Sequence, residues 1–187
     1  MKNIDKKPCI WSYVVVHDEG SAPCVDDNFL TLCICKPLIR RGANIGDWVV
    51  GFAKKKIGTN LITYVAEITE KISMEEYFLD PKPRLDKIYY LDNGSLVHYG
   101  GEIHNNTRNW RTDLSGKYCL ISSNFWYFGK SPLSNIEELH DLYHPYVGQK
   151  KIIKPDKLQI LKNYLSNINR GEYKDEINTK TNFKGCT

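Results

Sequence analysis

A carboxylate that ends an apolar strand is the first chemical feature of this sequence. Asp18 follows the run Ile10-Trp11-Ser12-Tyr13-Val14-Val15-Val16-His17. Partial shielding from water raises a carboxyl pKa, and such a group can serve as a general base. The competing reading is a turn residue that bonds its own backbone. Aromatic rings are the second feature. Trp48, Trp110, Phe125, Trp126, Tyr127 and Phe128 lie nearest glycine- or asparagine-rich segments. Aromatic faces sandwich planar bases, and each ring can equally fill the core. Lys36, Arg40 and Arg41 cluster near the end of a strand. Such a cluster suits phosphates or a solvated surface.

Metal and nucleophile motifs are sparse. Of the six cysteines only Cys33 and Cys35 are close. On a strand that spacing puts both on one face, and two small buried side chains are a plainer reading than a zinc site. His140 and His144 are four apart, but Pro145 argues against a regular helix there. There is no phosphate-binding glycine loop, dinucleotide fingerprint, Gly-x-Ser-x-Gly elbow or His-Glu-x-x-His. The paired signature of zinc base deaminases is missing as well. Function without a metal or other cofactor is the expectation.

These residues must be held by a β-rich fold. Ile10 to His17 reads as a buried strand, and Asp18 to Pro23 as a loop. Phe29 to Lys36 reads as a second strand, ended by Pro37 and followed by a short helical turn. Gly46-Asp47 is a turn and Trp48 to Lys54 a third strand. Gly58-Thr59-Asn60 joins it to a fourth, Leu61 to Ile72, with Ile62, Tyr64, Ala66 and Ile68 on one face. Ser73 followed by Glu75 and Glu76 marks a helix start, which Pro81 and Pro83 close. Asp92 to Ser115 is rich in Asn, Gly, Thr and Asp and reads mostly as loop; a loop that long is more often functional than idle. Lys117 to Ser122 and Asn124 to Phe128 are further strands. From Pro155, Leu158, Leu161, Leu165 and Ile168 are helically spaced, and Gly171 terminates the helix. Hairpin-like spacing dominates. The expected class is α+β: a small mixed or antiparallel β-barrel with helices at the rim and a C-terminal helix. Residues 1–9 form an extension, 10–171 a single domain and 172–187 a polar tail.

Composition agrees with one soluble globular unit. The 187 residues are 41% hydrophobic and 26% charged, which excludes a largely disordered chain. No apolar run is long enough to span a bilayer. No stretch of signal-peptide length follows the N-terminal Met1-Lys2-Asn3, so a cytoplasmic location is expected. The net charge of +4 is uneven: from Lys150 onward there are nine basic and four acidic residues, against 17 and 18 before it. A basic end on a near-neutral body suits a polyanionic partner or simple solubilisation.

Several spaced motifs resemble one family. They are Ser12-Tyr13-Val14-Val15-Val16-x-Asp18-x-Gly20-x-Ala22-Pro23, then Cys33-x-Cys35-Lys36-Pro37-x-Ile39-Arg40-Arg41, then Gly46-Asp47-Trp48-Val49-x-Gly51. Glu75-x-Tyr77-x-x-Asp80-Pro81, Asp86-x-Ile88-Tyr89, Leu120-Ile121-Ser122 and Phe125-x-Tyr127-x-Gly129 continue them. Together they resemble the nucleotide modification-associated domain family, type two. Lys87 stands where Asn is expected and Tyr90 where His is expected. Gly46 to Phe52 with Ile62 to Ile68 also looks like the core hairpin of PUA-like domains, including the EVE and ASCH groups, which bind RNA or a flipped, modified base. The resemblance implies recognition of modified bases, with DNA as the partner and RNA as the alternative.

Two functions follow as expectations. One is a DNA glycosylase that flips a modified base into an aromatic pocket, an activity suited to defence against phages with modified genomes. Asp18, then Asp113, would stabilise oxocarbenium charge and activate water, with His17 moving protons. Lys36, Arg40 and Arg41 would hold phosphates, and Tyr13, Trp48, Trp110, Arg111, Phe125, Trp126 and Tyr127 complete the expected nucleic-acid contacts. The other is a reader that binds the same base and leaves the bond intact.

Overall fold

The computed structural model describes residues 7–26, 28–146 and 148–170. The N-terminal half contains β1 (Ile10–Val15), β2 (Cys24–Asp26), β3 (Phe29–Leu32), α1 (Pro37–Gly42), β4 (Trp48–Ala53), β5 (Leu61–Glu67), β6 (Glu70–Ser73) and α2 (Met74–Leu79). The hairpin β7 (Tyr89–Asp92) and β8 (Ser95–His98) precedes α3 (Thr107–Leu114), β9 (Tyr118–Ser122) and β10 (Asn124–Tyr127). Then come β11 (Leu133–Ser134), a 3₁₀ turn (Glu137–Leu142), β12 (Gln149–Ile152) and α4 (Pro155–Leu165).

A continuous β-branched and aromatic run needs both of its faces covered. All six residues of β1 are buried, in the middle of a sheet ordered β10-β5-β4-β1-β12 with β11 on β5. β1 and β4 are parallel, Ile10 opposite Trp48 and Val15 opposite Ala53. The other pairs of this sheet are antiparallel. A second sheet runs β2-β3-β9-β6. One face of the large sheet, with Tyr13, Val15, Val49, Tyr64 and Tyr127, packs on Leu30, Leu32 and Leu120 of the second. Its other face, with Trp48, Val50, Phe52 and Trp126, is covered by Leu158, Leu161 and Leu165 of α4.

The α+β class agrees with expectation. The barrel does not: among the described residues the large sheet ends at β10 and β12, which do not pair with each other. A second sheet and a helix already bury its two faces, so layering replaces closure. No described helix is long and apolar enough to cross a membrane.

Three segments differ from their sequence reading. The expected fourth strand splits at Ile68. Its N–H donates to the Asp47 carbonyl and its own carbonyl accepts from Gly46 N–H, both at 2.8 Å, which sends β6 into the second sheet. The expected second strand stops at Leu32. Cys35 and Lys36 have φ of 56° and 39°, so Cys33 and Cys35 share no strand face. The expected long loop is largely structured. Asn93 and Gly94 both have positive φ, as a two-residue hairpin turn requires, and the Asn106 side chain caps α3 by accepting Asn109 N–H at 3.0 Å. Polar composition outweighed these short signals. The Ser73 cap is present, accepting Glu76 N–H at 3.0 Å. Gly171 and the tail lie outside the described residues.

Candidate functional site

Tyr13 of β1, Gly51 of β4 and Tyr64 of β5 lie side by side across three strands. A Cβ on Gly51 would fall 2.2 Å from the Tyr64 ring and 2.8 Å from Val15 Cγ2. Glycine therefore lets the Tyr64 ring cross the sheet, and its hydroxyl donates to the Tyr13 hydroxyl at 2.8 Å. Tyr127 of β10 donates to Asp18 Oδ2 at 2.9 Å. The other carboxyl oxygen, Oδ1, is buried and has no hydrogen-bond partner among the described residues. Burial pushes the Asp18 carboxyl up to about 6; the Tyr127 hydrogen bond opposes that shift and the charge of Glu19 adds to it. Burial also raises Tyr13 and Tyr64, and the nearby Asp18 charge adds to both. Asp18 lines a cleft of about 130 Å³ with His17, Lys54 and Lys130. His17 faces Glu19, at 3.8 Å.

The basic cluster is divided by burial. Arg40 is fully buried. Its guanidinium donates to the carbonyls of Cys33 at 2.6 Å, Cys35 at 2.7 Å and Tyr118 at 3.0 Å, and to that of Asp113. It is an interior bracket and is not available to a phosphate, which corrects its expected role. Desolvation lowers its pKa, opposed first by Asp113. Arg41 is exposed and donates to the Ser115 carbonyl. The Lys36 ammonium sits 4.8 Å over the Tyr13 ring, and desolvation lowers its pKa.

Asp113 lies on α3 and is fully buried. Its Oδ1 accepts Cys35 N–H at 2.7 Å, and its Oδ2 accepts the Tyr89 hydroxyl at 2.9 Å. The same Oδ2 is 2.5 Å from His104 Nδ1. His104 Nε2 is in turn 3.3 Å from Cys35 Sγ. Cys35 is disulfide-bonded. These three residues line a cleft of about 270 Å³ with Lys36, Arg108, Asn109 and Gln149. Asp113 thus belongs to a different cleft from Asp18. Cys35, His104 and Asp113 are also close enough to share a metal ion. However, the sulfur and the carboxylate approach opposite ring nitrogens, as in a proton relay. Sequence reasoning missed Cys35 and His104, because the left-handed turn and the fold of the 99–106 segment bring them together.

The tryptophans form a third feature. Trp48 and Trp126 stack at 5.9 Å and 26°, with Lys162 5.3 Å from one ring and Arg170 5.6 Å from the other. The Trp126 indole donates to the Ile168 carbonyl at 2.8 Å, whereas the buried Trp48 indole N–H has no partner among the described residues. Glu67 and Asn124 complete a cleft of about 390 Å³. Trp48 starts β4 beside Ile10, and Asp18 lies beyond the far end of β1. At roughly 3.3 Å per strand residue, the two are at opposite ends of the sheet, and the tryptophans occupy its other face. Trp110 stacks on His98 at 5.3 Å, and Arg111 is exposed on α3. Phe125 and Phe128 are core residues.

The motif Gly46-Asp47-Trp48 has a structural account. Asp47 is buried and accepts N–H groups of Cys9 and Asn44, both at 2.9 Å, tying the start of β1 to β4. Asp86 is likewise buried, accepting from Thr31 at 2.6 Å and Tyr77 at 2.8 Å. No curated protein and no solved structure matches the chain. The family model for nucleotide modification associated domain 2 matches residues 7–183, a span that holds every residue placed above, and the chain belongs to that family.

Proposed function

We propose that this protein acts on a modified nucleobase in DNA and hydrolyses its N-glycosidic bond, with Asp18 as the reacting carboxylate. The family description supports a role connected with modified nucleotides. The observation that carries the finer reading is Asp18 itself, a desolvated carboxyl held on one oxygen by Tyr127, with the other unpartnered among the described residues. An ionised carboxylate beside the sugar stabilises developing oxocarbenium charge and orients water for attack. A PUA-like manner of base capture fits the same reading, as does a role in defence against phages with disguised DNA.

The test is incubation of the purified protein with phage DNAs carrying different modified bases. Free base is read by mass spectrometry and abasic sites by alkaline cleavage. Release from one class of DNA, lost in Asp18→Asn with binding retained, supports the reading. Release at the wild-type rate by Asp18→Asn overturns it.

The Trp48–Trp126 cleft favours a second reading, a binder of modified bases in DNA or RNA without chemistry. Stacked indoles with an unsatisfied N–H suit a planar, hydrogen-bonding ligand. Selective retention of one DNA with no base released, lost in Trp48→Phe, supports it.

A further inference from the structure

We propose that Cys35, in its reduced form, is a nucleophile activated by His104 and Asp113 that takes an acyl group from an anionic substrate. The inference is independent of the Asp18 reading and concerns the cleft under α3.

The geometry is that of nucleophile, base and orienting acid. Cys35 Sγ is 3.3 Å from His104 Nε2, and His104 Nδ1 is 2.5 Å from Asp113 Oδ2. A carboxylate on Nδ1 keeps the proton there and turns the Nε2 lone pair toward the sulfur. The same Asp113 side chain also accepts Cys35 N–H at 2.7 Å, so one carboxylate positions both nucleophile and base. Cys35 and Lys36 occupy the left-handed region without being glycine, a costly conformation that the Arg40 bonds to the Cys33 and Cys35 carbonyls stabilise. The cations Lys36 and Arg108 and the amides Asn109 and Gln149 line the same cleft as Cys35. That lining suits a carboxylate- or phosphate-bearing substrate.

Cys35 is disulfide-bonded, and its sulfur becomes a nucleophile only on reduction. Two equivalents of a monothiol reductant supply that step, giving the Cys35 thiol, the other protein thiol and the oxidised reductant. In the reaction His104 Nε2 takes the Sγ proton and the sulfur bonds to the acyl carbon. The leaving group departs with its electron pair and receives that proton from His104. Water then cleaves the thioester, releasing the acid and regenerating the thiol.

The test uses the reduced full-length protein. Iodoacetate and iodoacetamide are the first probes, with labelled sites located by peptide mass spectrometry. Cys35 is expected to react about tenfold faster than glutathione at pH 7, because a histidine partner enlarges the thiolate fraction. It is also expected to favour the anionic iodoacetate relative to glutathione. The buried Cys9, Cys24, Cys33 and Cys119 serve as internal references. The second probe is the anionic mono-4-nitrophenyl succinate, compared with neutral 4-nitrophenyl acetate. One equivalent of nitrophenolate in a burst is expected from the succinate, absent in Cys35→Ala, in His104→Gln and in unreduced protein. The pH profile of wild-type alkylation supplies a readout that does not depend on variants folding. Alkylation of Cys35 that tracks an ordinary thiol across pH, with no burst, overturns the proposal. Protection of Cys35 by one equivalent of zinc also overturns it, by making the three residues a metal site.

Discussion

The Tyr127 hydroxyl donates to Asp18 Oδ2 at 2.9 Å across 109 residues of sequence. The contact joins the end of the first strand region to β10 and holds a carboxyl that burial has pushed up to about 6.

Catalysis by ionised Asp18 therefore rises with pH through about 6. A base-release assay on modified DNA between pH 4.5 and 8 should show that limb, with Asp18→Asn flat at background. A rate independent of pH across this range would exclude Asp18 as the base.

The same shift affects stability. The ordinary value is 3.8 and the folded value about 6, so the folded protein binds the proton more tightly than the unfolded chain. The contribution is complete below 3.8 and is lost as pH rises through about 6. Each unit corresponds to about 1.4 kcal/mol, so the loss amounts to at most about 3 kcal/mol. Asp18→Asn should lose less stability than wild type between pH 4 and 7 in urea titrations. Parallel curves for the two proteins would refute the shift.

Gly116→Ala should destabilise the protein. Its Cβ would fall 2.1 Å from the Arg40 guanidinium, which its carbonyl bonds hold in place. Overpacking of this kind costs about 1–3 kcal/mol, measurable as a lower urea midpoint. An unchanged midpoint would mean that Arg40 moves freely.

Gly51→Ala should cost a similar amount, about 1–3 kcal/mol, because the new methyl meets the Tyr64 ring and Val15. Combining it with Tyr64→Leu should recover part of the loss. A purely additive double variant would place the clash elsewhere.

Salt dependence separates the arginines. Arg41→Ala and Arg111→Ala remove exposed cations, and each should reduce the slope of log affinity against log salt by about 1 if it contacts a phosphate. Arg40→Ala should instead lower the unfolding midpoint. Slopes identical to wild type would retire Arg41 and Arg111 as DNA contacts.

Local pattern alone determined much of this protein. The β1 run, the Ser73 cap, the shared face of Tyr64 and Ala66 and the α4 leucines each follow from side-chain periodicity or capping within a few residues, whereas a register shift opposite Gly51 and Phe52 turns Ile62, expected on the Tyr64 face, to the other one. The spaced motifs identified the family, and a carboxylate ending an apolar run singled out Asp18 as a candidate. Tertiary structure decided the rest, since burial and partnership are set by distant segments. Arg40 and Arg41 are neighbours in sequence, yet α1 turns one into the core and the other to solvent. Asp113 looked like a loop acid until Asn106 capped α3 and aimed it at Cys35 and His104. In sequence Trp48 and Asp18 are both candidates for the base site, but the parallel register of β1 and β4 puts them at opposite ends of the sheet. No local signal encodes such distances, because they arise from how separate strands pair and which faces they bury.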